Sequence, residues 1–313
     1  MALTPTRIGI VGVGKIARDQ HIPTIAGNDA FRLIATVSRQ DGLPGIHNFP
    51  TIEAMIEGAD GLEALAICTP PQLHYEAARF ALGAGKHVLL EKPPCTSLSQ
   101  LDNLARLAGR ENRTLYQTWH SRHAQGVAAA EHLLKTREIR RVRVTWKEDV
   151  RQWHPGQAWI WRAGGFGVFD PGINALSILT QILPVSFFPR TACLYTPSNC
   201  EAPIAADLEF ITDGGVEISA AFDFRHTGTQ TWDIDIDTEE GPIKLSAGGG
   251  ILTVGDNEVP RDPGALHSEY ESIYRNFGAL IARGASEVDA RPLQLVADVF
   301  LIAKRVATEP FED

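Results

Sequence analysis

The segment Glu91-Lys92-Pro93-Pro94 places a carboxylate and an amine directly after the apolar run His87–Leu90. Lys92 precedes proline, which disfavours α geometry and keeps the lysine extended at the end of a strand. Burial lowers the pKa of an amine, so a partly buried lysine can exchange a proton at neutral pH. Lys92 is therefore a candidate catalytic residue. The alternative is a charged pair that only closes a strand at the surface.

A second carboxylate lies in the segment Arg140–Val150, where apolar and polar residues alternate. This pattern predicts a strand with one buried face. Glu148 falls on the apolar face, and a buried charge needs polar partners. Sugar hydroxyls or a lysine such as Lys92 would provide them, and a structural salt bridge is the alternative.

Three tryptophans, Trp153, Trp159 and Trp161, follow within nine residues, and His154 lies among them. Indole faces suit the C–H faces of a pyranose ring, and the His154 imidazole offers a polar tip. The pattern favours a carbohydrate site. Tryptophan clusters also occur in plain cores.

Asp170 and Asn174 are four residues apart at the start of a predicted helix that continues to Leu183. This spacing puts both side chains on one helix face. Asp170 precedes Pro171, so we expect it to be the N-cap.

The elements that must position these groups begin with an apolar strand ending in Gly12-x-Gly14-x-x-Ala17. A strand, glycine turn and helix in this order are typical of a dinucleotide-binding βαβ unit. Gly12 permits the tight turn, and Gly14 lets a pyrophosphate approach bare backbone at a helix N-terminus. His21, further along, either contacts a cofactor phosphate or faces solvent at a helix end.

The second predicted strand, Arg32–Ser38, ends where this fold binds the adenosine ribose. An acid there would repel a 2′-phosphate. Ser38-Arg39 instead supplies a hydroxyl and a guanidinium suited to a phosphate, which favours NADP. The alternative is an exposed loop arginine.

Further strands are predicted at Leu65–Pro71, which includes Cys68, Thr69 and Pro70, and at Thr114–His120, whose end brings Trp119 and His120 to the same sheet edge. We place the domain boundary at residue 121, which gives domains 1–121 and 122–313. For the second domain the patterns predict strands at 206–211, 216–224, 231–237, 242–245 and 251–254, and helices at 266–282 and 292–306.

The chain has 313 residues, a net charge of −9 and four cysteines without a CxxC pair. The negative charge makes a nucleic-acid or anionic-membrane partner unexpected. The N-terminal residues lack the order of a signal peptide, and no apolar run is long enough to span a membrane. We expect a cytoplasmic protein with free thiols. No HExxH motif or cluster of His and Cys ligands appears, so no metal is expected.

The glycine motif, Cys68-Thr69-Pro70 and Gly85-Lys86-His87-Val88-x-x-Glu91-Lys92-Pro93 together resemble the Gfo/Idh/MocA oxidoreductase family. The resemblance implies an α/β chain: an N-terminal Rossmann dinucleotide-binding domain, then an α+β substrate-binding and oligomerisation domain with a large, mainly antiparallel open sheet. It places the residue matching Lys92 between nicotinamide and substrate. The implied cofactor-binding residues are Gly12, Gly14, Lys15, Ile16, Ser38, Arg39, Cys68, Thr69, Pro70, His74, Glu91 and Lys92.

The segments 146–150, 153–157 and 169–174 resemble the family members that oxidise C1 of L-arabinose and D-galactose. Many family members carry a histidine base where this chain has Asn174, so the proton acceptor becomes Lys92 or Asp170. The implied sugar-binding residues are His120, Glu148, Trp153, His154 and Asn174.

These residues predict an aldose 1-dehydrogenase that prefers NADP, accepts NAD and forms an aldonolactone. The alternatives are another sugar or inositol oxidoreductase of the same fold and a non-catalytic sugar or nucleotide sensor. The outer face of the second domain's sheet needs cover, so we expect a homodimer or a larger assembly.

Overall fold

The computed structural model describes residues 4–39, 42–260, 266 and 268–312. Residue 267, which belongs to the predicted helix 266–282, lies outside the described residues. Up to residue 117 the helices and strands are β1 (Thr6–Val11), α1 (Ile22–Ala26), β2 (Phe31–Val37), β3 (His47–Phe49), α2 (Ile52–Gly58), β4 (Ala64–Ile67), α3 (His74–Gly83), β5 (His87–Leu90), α4 (Leu98–Arg110) and β6 (Leu115–Gln117).

The rest of the described chain contains α5 (Val127–Leu134), β7 (Ile139–Lys147), α6 (Val150–Trp153), α7 (Phe169–Ile182), β8 (Phe187–Pro197), β9 (Ala205–Thr212), β10 (Glu217–Asp223), β11 (Thr231–Thr238), β12 (Gly241–Ser246), β13 (Ile251–Val254), β14 (Asn257–Glu258), α8 (Glu269–Arg283), α9 (Arg291–Ile302) and β15 (Lys304–Thr308). The chain divides into two units. The first is Met1–Trp119 with Leu266–Ala290, and the second is His120–Ala265 with Arg291–Asp313.

In the first unit, the described strands form a six-stranded sheet in the order β3-β2-β1-β4-β5-β6. All of its pairings are parallel. This is the order of a Rossmann fold, in which the carboxyl ends of the strands share one ligand-binding edge. β4 is buried along its whole length, as expected for a strand covered on both faces. The predicted Rossmann fold is confirmed.

Residues 266–290 lie in the first unit, whereas the sequence boundary at residue 121 placed them in the second domain. Helix α8 buries Tyr270, Tyr274 and Phe277 in the same core cluster as Phe31 of β2. The segment that follows α8 then runs beside β6, where the Gln117 N–H donates to the Glu287 carbonyl at 3.1 Å. The sequence pattern shows an amphipathic helix but not which sheet it covers.

In the second unit, the described strands form a nine-stranded open sheet in the order β14-β13-β12-β11-β7-β10-β9-β8-β15. Two of its pairings, β10 with β7 and β15 with β8, are parallel, and the others are antiparallel. The predicted large, mainly antiparallel sheet is confirmed.

Helices α5, α7 and α9 pack against strands of this sheet. Helix α7 lies close to β10 because Gly172 has no side chain: a Cβ there would lie 2.6 Å from Cδ2 of Phe222. Residues of β7 and β11 that alternate with the buried ones carry charges, and Arg141 pairs with Asp237 at 2.9 Å. No described helix combines the length and the apolar character that crossing a bilayer requires.

Two predicted elements end earlier than the patterns indicated. Strand β7 stops at Lys147, so Glu148 lies just beyond it and Val150 begins α6. The predicted helix 292–306 ends at Ile302, and residues 304–308 form β15 beside β8. Neither β8 nor β15 was predicted, because long-range pairing rather than a clear alternation of apolar residues defines them.

Candidate active site

The glycine turn leaves space where a cofactor pyrophosphate would lie. Gly12 has φ +92°, and a Cβ there would lie 2.9 Å from the Thr69 nitrogen. A Cβ on Gly14 would meet no described atom within 4 Å, so the space above this residue is open. The Arg18 N–H donates to the Gly14 carbonyl at 3.1 Å and starts the helix. A helix N-terminus under open space fits a dinucleotide pyrophosphate.

Lys15 and Ile16 form the first turn of this helix. The Lys15 amine is exposed and pairs with Asp19 one turn later, and Ile16 packs against the hydrophobic core. The helix then makes a π-helical turn, Ala17–His21, before α1. Both expectations for His21 are wrong, because its side chain is fully buried instead of facing phosphate or solvent.

Ser38 and Arg39 follow β2 at the expected sheet edge. The Asn48 side chain fixes this turn: its amide donates to the Ser38 carbonyl at 3.1 Å, and its oxygen accepts from Thr36 at 3.0 Å. Arg39 is exposed. An exposed guanidinium on an ordered turn is free to move onto a phosphate without losing a buried contact.

The exit of β4 carries Cys68, Thr69 and Pro70. Burial raises the pKa of the Cys68 thiol well above its ordinary value, and the nearby Glu91 carboxylate adds to this, so the thiol stays protonated. The Thr69 hydroxyl is buried without a hydrogen-bond partner among the described residues. A buried hydroxyl of this kind at the ligand-binding edge is a candidate contact for a bound cofactor.

His74 joins two strand exits. Its Nδ1 lies 2.9 Å from the Pro93 carbonyl, and its Nε2 lies 2.6 Å from the Thr69 carbonyl. Burial lowers the pKa of His74 below 6.5, although the Thr69 carbonyl opposes this shift. Both ring nitrogens therefore face main-chain groups, and His74 holds the exits of β4 and β5 rather than presenting a polar atom to a cofactor.

Lys92 follows β5 closely along the chain and is half-buried, and its neighbour Glu91 is buried. The Glu91 Oε2 atom accepts from the Lys92 N–H at 3.0 Å, and Oε1 accepts from the Tyr270 hydroxyl at 2.9 Å. Both carboxylate oxygens thus bind groups of the protein. The cofactor contact that the resemblance implies for Glu91 stays a prediction.

In the second unit, Glu148, His154 and Asp170 form one polar cluster. The side chains of Glu148 and Asp170 are 3% and 5% exposed, and His154 lies between them. The His154 Nε2 atom is 3.3 Å from Oε1 of Glu148, and its Nδ1 is 3.9 Å from Oδ2 of Asp170. The structure therefore brings together three residues that the sequence separates by up to 22 positions.

Trp232 completes this cluster, although no sequence pattern singled it out. Its indole Nε1–H donates to Oε2 of Glu148 at 2.7 Å. Trp232 pairs with Trp146 across the sheet and shares the phase of the buried residues Ile234 and Ile236. That alternation could have placed Trp232 on the site face of β11, but nothing in the sequence pairs β11 with β7.

The tryptophans group differently from the prediction. Trp153 lies 5.2 Å from Trp232, and Trp146 stacks on Trp232 at 6.0 Å, both between ring centroids. Trp161 instead packs against Phe224 and Phe311. The aromatic wall next to Glu148 is thus Trp146, Trp153 and Trp232.

Short local elements orient Trp153 and His154. Asp149 caps α6 by accepting from the Arg151 N–H, and the His154 N–H donates to the Val150 carbonyl at 2.7 Å. The backbone of Glu148 is fixed as well, because its N–H donates to the Asp223 carbonyl at 3.0 Å.

Asp170 is not the N-cap of α7, because that position is Val168. Asp170 is instead inside the first turn, where the helix dipole stabilises a negative charge. Asn174 is one turn later, and its Oδ1 is buried without a hydrogen-bond partner in the part of the chain that the structure describes. His120 is half-buried in the 3₁₀ turn 120–123 of this unit, whereas Trp119 is buried in the first unit with its indole N–H on the Asp289 carbonyl.

The fold and these residues define a Rossmann-type oxidoreductase, and comparisons with known proteins agree. Residues 6–118 match the Gfo/Idh/MocA family, which is described as an oxidoreductase family with an NAD-binding Rossmann fold. A galactose 1-dehydrogenase from Pseudomonas fluorescens is 43% identical over 311 residues, which cover 99% of this chain and 100% of that protein. The chain belongs to the Gfo/Idh/MocA family of oxidoreductases.

Solved structures extend this comparison. A D-galactose-1-dehydrogenase from Rhizobium etli aligns with a TM-score of 0.93 and 48% identity, covering 100% of this chain and 99% of that one. A 3-ketoreductase from Actinomadura kijaniata, solved with NADP and TDP-benzene, aligns with a TM-score of 0.84 at 20% identity over 97% of this chain and 99% of that one. The second likeness shows the fold alone.

The lowered pKa of His74 predicts how stability depends on pH. The unfolded chain takes up a proton on this imidazole as the pH falls below about 6.5, whereas the folded chain does so only at a lower pH. The free energy of unfolding should therefore decrease as the pH falls through about 6.5. His74→Gln should flatten this slope, while His132→Gln, at an exposed position, should keep it. Denaturant titrations at several pH values measure both, and an unchanged slope in His74→Gln would contradict the assignment.

Proposed function

We propose that the protein is an NAD(P)-dependent sugar 1-dehydrogenase that oxidises the anomeric C1–OH of galactose-type pyranoses to the aldonolactone. The observation that carries the proposal is the Glu148–His154–Asp170 cluster beside the Trp146–Trp153–Trp232 wall. Buried acceptors next to indole faces suit a ring with hydroxyls on its edge and C–H groups on its face. The likeness to two galactose 1-dehydrogenases along the full chain supports the same substrate class.

The pyranose hydroxyls are assigned to Glu148, His154 and Asn174, with His120 and Trp153 as further contacts. Glu148 keeps acceptor capacity because a carboxylate accepts about four hydrogen bonds, and Trp232 and His154 together use at most two of them. The buried Asn174 Oδ1 has no partner among the described residues, which a sugar hydroxyl would supply. L-Arabinose and D-galactose share their configuration at C2, C3 and C4, so one set of contacts serves both.

A bound nicotinamide supplies the hydride acceptor for the C1 hydrogen. The C1 hydroxyl must lose its proton as the carbonyl forms, and Lys92 or Asp170 takes it. Asn174 cannot do so, because an amide does not titrate. Lys92 lies at the exit of β5 in the first unit, and Asp170 lies in the first turn of α7 in the second unit.

NADP is the proposed preferred cofactor, with NAD also accepted. Arg39 is exposed on a turn that Asn48 holds, and no acid replaces Ser38 at the end of β2. A guanidinium here would bind a 2′-phosphate, and the missing acid removes the usual repulsion.

A homodimer is the proposed minimal assembly. The sheet of the second unit has a face of paired charges, which includes Arg141 with Asp237 and Lys244 with Asp233. A second copy covering this face would make the chain at least dimeric in solution.

Lys92→Ala tests the role of this amine. Loss of one acid–base group should lower kcat by roughly 100-fold or more, and the affinity for NADP should change little. Lys135→Ala, which removes an exposed lysine, is the matched control. Steady-state kinetics with D-galactose and fluorescence titration with NADP measure both quantities. Normal turnover of the folded Lys92→Ala enzyme would leave Asp170 as the base.

Arg39→Ala tests the cofactor preference. The loss of a charge-assisted hydrogen bond should lower kcat/KM for NADP by about 1–3 kcal/mol and leave the value for NAD nearly unchanged. Arg79→Ala removes an exposed arginine of the same unit and should change neither value. Equal losses with NADP and NAD in Arg39→Ala would refute the phosphate contact.

A panel of four sugars tests the substrate class. D-Galactose, L-arabinose and D-fucose should all be oxidised, because they differ only at C5, where a missing apolar group costs about 1–3 kcal/mol. D-Glucose has C4 inverted and should lose a hydrogen bond to a charged group, which lowers kcat/KM by roughly 10-fold or more. If kcat/KM for glucose equals that for galactose, the configuration at C4 is not recognised. Oxidation of none of the four would favour another reaction or a sensor.

A further inference from the structure

Four side chains form a buried polar chain in the first unit. They are His21 of the π-helical turn, Glu91 at the exit of β5, and Tyr270 and Tyr274 of α8. The Tyr274 hydroxyl is 2.8 Å from Nδ1 of His21, and Nε2 of His21 is 3.0 Å from Oε1 of Glu91. The Tyr270 hydroxyl donates to the same Glu91 oxygen at 2.9 Å.

None of these side chains is accessible to substrate. His21 and Tyr274 are fully buried, and Glu91 and Tyr270 are each 3% exposed. A cluster of this kind inside an apolar core costs free energy unless each group is satisfied. The chain therefore retains buried polarity at a place where apolar residues would also fill the core, which points to a function beyond packing.

The two tyrosines keep their protons. Burial raises the pKa of Tyr270 and of Tyr274 well above 10.0, and the Glu91 carboxylate adds to both shifts. Tyr270 thus remains a hydrogen-bond donor to Glu91 at any pH at which the enzyme would work. The Oε1 side of Glu91 is held from two directions, by α8 and by the π-helical turn.

The other oxygen of Glu91 reaches the neighbouring residue. Oε2 accepts from the backbone N–H of Lys92 at 3.0 Å. A carboxylate whose far side is fixed by two elements cannot rotate freely, so this bond restrains the backbone from which the Lys92 side chain projects. The π-helical turn that carries His21 belongs to the helix that starts at the glycine turn.

We propose that Glu91 is a positioning residue for Lys92, with Tyr270 and His21 holding its carboxylate in place. Through His21, the same bonds tie the Lys92 backbone to the helix under the cofactor pyrophosphate site. This inference rests on the proposed function, in which Lys92 touches the reacting atoms. Positioning acts through hydrogen-bond geometry, so it affects kcat more than the binding of sugar or cofactor.

Three variants separate positioning from packing. Tyr270→Phe keeps the ring and removes one hydrogen-bond donor to Glu91. It should lower kcat by roughly tenfold, while KM for D-galactose and the affinity for NADP stay within about threefold of the values of the unsubstituted enzyme. Glu91→Ala should lower kcat by roughly 50-fold or more. Glu91→Gln should recover only part of that loss, because its amide oxygen can accept from the Lys92 N–H but its NH₂ group cannot accept from the Tyr270 hydroxyl. Tyr75→Phe removes a hydroxyl bonded to Asn103 elsewhere in this unit and should change nothing.

Hydrogen exchange at the Lys92 amide, followed by NMR on the same variants, reports positioning without any turnover. Exchange should accelerate about tenfold or more in Tyr270→Phe and Glu91→Ala, accelerate less than in Glu91→Ala in Glu91→Gln, and stay near the unsubstituted rate in Tyr75→Phe. If the unsubstituted protein oxidises no aldose, the proposed function is wrong. The exchange pattern would still test whether Glu91 positions the Lys92 backbone. Unchanged exchange and kcat in Tyr270→Phe, or in Glu91→Ala, would overturn the inference.

Discussion

Each unit of this protein contains a buried carboxylate, Glu91 in the first and Glu148 in the second. The hydrogen bonds that this carboxylate accepts hold in place the neighbouring groups that we propose to act in catalysis or sugar binding. In the second unit, the Trp232 indole and His154 meet Glu148 at 2.7 and 3.3 Å. In the first unit, Tyr270 and His21 meet Glu91 at 2.9 and 3.0 Å. A buried carboxylate is costly without such partners, so each one fixes the elements that supply its donors.

This constraint explains why distant segments converge on each candidate site. Glu148 follows β7, Trp232 belongs to β11 and His154 follows α6, so the polar cluster forms only once the sheet has paired. Gly172 allows α7 to lie against Phe222, which brings Asp170 to within 3.9 Å of the His154 ring. In the first unit, α8 returns from late in the chain to hold Glu91 beside Lys92. The polar groups that would meet substrate are therefore set by packing rather than by loops alone.

The sequence predicts the Rossmann unit well, because its signals are local: a glycine turn, apolar strands and a lysine before proline. It also predicts Glu148 on a buried face and Asp170 and Asn174 on one helix face. It does not predict Trp232, His21 or the tyrosines of α8 as partners, since their contacts depend on pairings across 70 to 253 residues. It also places α8 in the wrong unit, because amphipathicity shows that a helix is covered but not by what. β15 was missed for the same reason, since it becomes a strand only beside β8.

The measurement that tests the central claim most directly is the activity of Trp232→Phe with D-galactose. Phenylalanine keeps an aromatic ring next to Trp146 and Trp153 but cannot donate to Glu148. We expect kcat/KM for D-galactose to fall by roughly 10- to 100-fold, as for loss of a hydrogen bond to a buried charge, and thermal stability to fall as well because the carboxylate loses a donor, while NADP affinity changes little. Trp161→Phe, which changes a tryptophan packed on Phe224 and Phe311, should retain near-normal activity. Full activity of Trp232→Phe would contradict this explanation, because Glu148 would then keep its position without the hydrogen bond from the indole.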